Sequence, residues 1–168
     1  LIDGMNDTHL WAEKYNGTLD DIFDIQEKVA RSIADALKIR ITSVEKEKIH
    51  ERPIDNALAY DCYLRAYQEI MSWNKERLEL GLELLQKGIE ITGENAVIYA
   101  GMAFAYFQFV NMGIDQEVNA IKSEEFVMKA LSLDPELAEA HFVYANICFV
   151  IYGKTKEAII HFHRANSN

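Results

Sequence analysis

At 168 residues the chain holds one domain or one and a half, and its 49% hydrophobic content is enough for a buried core, which excludes global disorder. Two prolines and eight glycines favour long helices over a many-stranded sheet, and a net charge of −10 argues against binding nucleic-acid phosphates through a basic face. The richest apolar run, Tyr99 to Val110, falls short of the roughly 18 residues of a membrane span.

The first turn signals are Gly4 and Asn6-Asp7 after Leu1-Ile2-Asp3. His9 to Tyr15 then alternates, with Trp11 and Tyr15 on one side, and Asn16-Gly17 ends the run. This pattern predicts a β-hairpin. Thr18 is placed to cap a helix whose first turn carries Asp20 and Asp21. Ile22, Ile25, Val29, Ile33 and Leu37 recur at helical spacing to about Ile39. Ser43 to Glu51 reads as a short charged helix, its mixed-charge run a solvated face. It stops before Pro53, a natural boundary, so residues 1–52 and 53–168 form two segments.

From Pro53 onward the pattern is helical throughout. Tyr60, Tyr63, Leu64 and Tyr67 mark one helix, and Gly81, Leu85 and Gly88 give a small–large–small stripe on the next. Tyr99, Met102-Ala103 and Tyr106 come after, then Val127 and Ala130. Leu133 closes that stripe; Asp134 is placed to accept orphan N–H groups, and Pro135 fits a first helical position. Behind this seam come His141, Tyr144-Ala145 and Cys148, then Gly153, Ala158, Phe162 and Ala165, with one extra residue before Gly153. The offset from Tyr99 to His141 is 42 residues, the excess falling in Asn111 to Glu117.

These residues resemble the tetratricopeptide (TPR) repeat, whose usual period is about 34 residues. The resemblance implies a mainly α fold: antiparallel helix pairs in a short right-handed superhelix, with units at about 55–94, 95–136 and 137–168. His141 and Cys148 depart from the usual aromatic residues. It also implies a concave groove lined by first helices, here Val97, Ala100, Phe104 and Gln108, then Glu139, Phe142, Asn146 and Val150. In TPR proteins that bind acidic carboxyl-terminal tails this groove carries lysines. Here Asn146 matches, but Ala100 and Phe142 stand at the lysine positions, which suits an apolar or amphipathic segment instead.

A second resemblance covers about residues 1–65. Leu1-Ile2-Asp3, His9-Leu10-Trp11-Ala12-Glu13-Lys14-Tyr15 and Leu19 to Glu27 are similar to the end of a TolB-like/FlgO-like α/β domain. In bacteria such domains precede TPR arrays, downstream of class III adenylate/guanylate cyclase or winged-helix domains. The resemblance brings no catalytic residue. With Leu1 no initiator and Asn168 inside a repeat, the chain reads as a piece of such a protein.

No phosphate-cradling glycine motif and no nucleophile elbow is found in the sequence. His161 and His163 are two apart and point in different directions on a helix, and His141 reads as a packed core histidine. Asp20, Asp21 and Asp24 lack calcium-loop spacing. Cys62 and Cys148 read as small buried hydrophobes. The expectation is a scaffold with no catalytic residue, metal or cofactor, placed in the cytoplasm, without nucleic-acid or membrane partners, that binds a peptide or protein. The alternative is a structural or homodimerising module of a cyclase or transcriptional regulator.

Overall fold

The computed structural model describes residues 2–3, 8–9, 14–18, 21–37 and 52–167. The chain divides into two compact units, Leu1–Arg52 and Pro53–Asn168. Among the described residues seven helices account for nearly all regular structure.

In the first unit the described helix is α1 (Ile22–Ala36). The expected hairpin is not supported. Its described pairing is a two-residue ladder, Ile2 opposite His9 and Asp3 opposite Thr8, and Lys14 to Thr18 carry no strand. A ladder this short is marginal by itself. The Tyr15 hydroxyl meets Ser32 Oγ of α1 at 3.2 Å, so this residue is engaged by the helix. Thr18 and Asp21 divide the capping work differently from expectation. Asp21 is the residue that precedes the helix, and its carboxylate accepts from the Thr18 N–H (2.8 Å) and hydroxyl (2.9 Å), which holds it below its ordinary pKa. Arg52 ion-pairs with Asp24 at 2.8 Å while its guanidinium lies 4.9 Å from the Phe23 ring centre. Asp20 and the charged segment Ser43–Glu51 lie outside the described residues.

The second unit consists of α2 (Ala57–Ile70), α3 (Lys75–Thr92), α4 (Ala96–Asn111), α5 (Gln116–Leu133), α6 (Ala138–Asn146) and α7 (Thr155–Ser167). The closest packing is within α2–α3, α4–α5 and α6–α7, and α4 also packs on α2, α3 and α6. Asparagine starts three of these helices. Asn56 accepts from Leu58 and Ala59, Asn74 from Arg77, and Asn95 from Ile98, each relieving orphan N–H groups. Asn95 also donates to the Pro53 carbonyl at 2.7 Å, tying the entry strap to the start of α4.

The small–large–small stripe on α3 allows close approach. A Cβ built on Gly81 would lie 2.8 Å from Ile70 Cγ1 and 3.2 Å from the Ala66 carbonyl, so α2 and α3 meet nearly backbone to backbone. Leu85 is buried, with its Cδ2 3.2 Å from where a Cβ on Gly101 of α4 would sit. Gly93 ends α3 at φ 76°, a left-handed cap that a residue with a Cβ adopts only under strain. Helix α4 is buried on most of its surface, including Ile98, Ala103, Phe107 and Val110, as expected for a central helix without an apolar stripe. Between α4 and α5 the buried Ser123 hydroxyl donates to the Ala103 carbonyl at 2.8 Å.

The seam between α5 and α6 corrects the sequence reading. Pro135 lies in a turn, Asp134 Oδ1 accepts from the Glu136 N–H at 3.0 Å, and α6 begins at Ala138 behind buried Leu137. The Pro135 carbonyl is taken by His141 Nε2 at 2.9 Å. Helix α6 continues as a π-helical turn, Ile147–Ile151. There the Tyr152 N–H reaches the Ile147 carbonyl (3.3 Å) and the Lys154 N–H that of Cys148 (2.8 Å). Cys62 and Cys148 are buried and free.

Candidate functional site

Helices α2, α4 and α6 contribute side by side to one depression of about 310 Å³ in the second unit, which the end of α7 also borders. Its floor is made by small residues. Ala100 is buried, and Gly101 has no side chain where a Cβ would sit 3.2 Å from Leu85 Cδ2 and 3.5 Å from Tyr63. The walls are aromatic: Tyr63 and Tyr67 from α2, Phe104 from α4, Phe142 from α6. Tyr67 stacks on Phe104 with ring centres 6.3 Å apart and 19° between planes. Phe142 meets Phe162 of α7 edge-on at 6.0 Å. Tyr67 and Phe142 are each 47% exposed, so these rings are presented to solvent rather than consumed in the core.

Glu139 is the one charged residue on the wall. It is exposed and makes no ion pair or hydrogen bond among the described residues. The Tyr63 hydroxyl is pushed up to about 12, first by burial and then by the Glu139 charge. Such a surface offers aromatic faces, one carboxylate and little else.

The eight residues expected to line a groove divide. Ala100, Phe104, Glu139 and Phe142 line the depression together. Val97 and Gln108 are buried, and the Gln108 side-chain oxygen Oε1 accepts from Asn111 Nδ2 at 2.9 Å. Asn146 donates to the carbonyl of Phe142 at 2.8 Å. Val150, 53% exposed, borders a separate depression with Asn111 and Gln116, because the π-turn carries it off the line of the helix. Tyr63 and Tyr67 line the depression without having been expected there. Their four-residue spacing places them on one helical face, and that is the signal the sequence offers.

Other aromatic residues are already served by the chain's own cations. Tyr106 and Phe126 stack with centres 5.6 Å apart; Lys122 lies 5.1 Å from the Tyr106 ring and Lys129 4.9 Å from that of Phe126. A buried polar contact joins α6 to α7: His141 Nδ1 lies 2.9 Å from His161 Nδ1, and the Tyr144 ring stands edge-on to His161. The carbonyl of Pro135 can only accept, so His141 donates from Nε2 and, when neutral, accepts at Nδ1 from His161. Burial and the neighbouring His141 lower the His161 pKa. Among the described residues no helix is long and apolar enough to cross a membrane, and no cluster of three metal-ligating side chains occurs.

No family model matches the chain. Over 148 residues it is 30% identical to a Rhizobium meliloti (strain 1021) protein named "Putative adenylate cyclase 3". The match covers 86% of this chain, which spans about a quarter of that relative's length (25%).

Proposed function

We propose that this chain is a non-catalytic docking module of a bacterial signalling protein, with TPR-like helix pairs that bind a peptide or protein segment in the aromatic depression. The observation that carries this reading is the convergence of α2, α4 and α6 on one open, aromatic-walled surface. Similarity to part of a cyclase-named protein supports a signalling setting. The first unit, in this reading, is the end of a TolB-like domain that precedes the repeats, and the module works in the cytoplasm.

Selection of peptides from a random display library on the whole chain tests the docking role. The expected outcome is a set of peptides whose affinity falls at least ~10-fold in Phe142→Ala and Phe104→Ala, as for anchors at an interface centre. Peptides indifferent to both substitutions overturn the reading.

A second reading, a homodimerising module, is favoured by a different surface. Phe149, Val150, Ile159 and Ile160 are each at least half exposed on the π-turn and α7, at 55%, 53%, 50% and 54%. Light scattering behind a size-exclusion column, across a concentration series, separates the two. A mass near 19.3 kDa throughout favours docking, and a stable dimer that Ile160→Asp dissociates favours self-association.

A further inference from the structure

We infer that the depression binds a basic side chain, the arginine or lysine of an otherwise apolar segment of a partner protein, held between aromatic faces and the Glu139 carboxylate. This rests on the docking reading and adds the chemistry of the anchor.

Complementarity carries the inference. Tyr67, Phe104 and Phe142 line it, and aromatic rings of this kind attract cations. The one formal charge there is Glu139, and among the described residues it has no partner of its own. No lysine, arginine or histidine lines the depression. Elsewhere several rings carry one of the chain's own cations: Lys122 over Tyr106, Lys129 over Phe126, Lys154 over Tyr152, Arg52 over Phe23. No such cation covers Tyr63, Tyr67, Phe104 or Phe142 among the described residues. The depression therefore combines aromatic rings and an exposed carboxylate with no cation of the chain's own.

Size agrees. The depression of about 310 Å³ sits over Ala100 and Gly101, which leaves depth for a long side chain to lay its aliphatic stem on the rings while its charged end stays near Glu139 at the rim. An acidic anchor would meet Glu139 with like charge and no counter-ion, and a purely apolar one would leave that carboxylate unused.

The test uses display-selected peptides and the whole chain. Each selected peptide is compared by calorimetry with a counterpart in which its arginine is citrulline, or its lysine norleucine, at near-constant shape. The inference expects arginine or lysine beside apolar residues in the selected set. It expects affinity to fall at least ~5-fold in the uncharged counterparts, within the range of a desolvated cation–π contact. Glu139→Gln, an exposed and near-isosteric change, is expected to weaken the parent peptide several-fold and leave the uncharged counterpart unchanged. Peptides that need Phe104 and Phe142 yet bind equally with and without their cation overturn the cation assignment while the docking reading stands. Peptides that need neither ring overturn both.

Discussion

Tyr99 on α4 and His141 on α6 hold the same place in successive helix pairs, and each meets a ring from the second helix of its pair. Tyr99 and Phe126 have ring centres 5.9 Å apart at 37°; His141 and His161 lie 5.0 Å apart at 40°. The geometry is nearly the same and the chemistry is not. The first contact is apolar, with Lys129 lying over the outer ring. The second is a hydrogen bond whose buried member, His141, needs a partner for each nitrogen and finds them in His161 and the Pro135 carbonyl. One position between helices therefore accepts either a ring pair or a fully satisfied polar pair, and only the latter couples packing to pH.

The largest expected effect removes the apolar contact. Phe126→Ala deletes a partly buried ring shared by both parts of the core and is expected to cost about 2–4 kcal/mol, less than a fully buried phenylalanine at the upper end. Urea unfolding measures it, and the cost is expected to be the same at pH 5.5 and 7.5. A cost that changes with pH would dissolve the contrast between the pairs.

The histidine pair gives the next effect. The folded-state pKa of His161 lies below its ordinary 6.5, so between those values the folded chain binds fewer protons than the unfolded one. The stability this adds is present above about pH 6.5 and is lost as pH falls through the folded value. Arg164 acts in the same direction as burial and His141, and Glu157 acts against them. The urea midpoint is expected to drop on acidification from pH 7.5 to 5.5, and His161→Phe is expected to flatten that part of the profile. An unchanged slope in the variant assigns the pH response to other groups.

The smallest effect concerns the cover of the first pair. Lys129 lies over the partly buried Phe126 and donates to exposed Glu125 at 2.8 Å. Lys129→Met is expected to change stability by under about 1 kcal/mol, and by less still in high salt for the ion-pair part. A larger loss would mean that ring cover, not ring stacking, holds this contact.

Much of the second unit was legible in local pattern. The stripe Gly81, Leu85, Gly88 is where α3 meets its neighbours, α2 at Gly81 and α4 at Leu85 and Gly88, and His141 is a buried histidine, as its place in the pattern suggests. Boundaries fared less well. Pro135 carries a helix-start signal, yet α6 starts at Ala138, since the Pro135 carbonyl is held by a histidine six residues away and Leu137 is anchored in the core. The alternation His9 to Tyr15 resembles a strand, but Tyr15 is engaged by α1. Of the candidate site, Ala100, Phe104, Glu139 and Phe142 share one surface, whereas Val150, within the π-helical turn, does not.

What the sequence determined by itself is the helical character of residues 53–168, the small residues at close helix contacts and the net negative charge, since period, side-chain volume and charge are local properties. Only the tertiary structure decided where the π-helical turn lies, which histidines meet, and which aromatic rings stay uncovered. Those depend on contacts between residues 20 to 40 positions apart, such as His141 with His161 and Tyr67 with Phe104, and no local pattern encodes which of two similar rings will find a lysine above it.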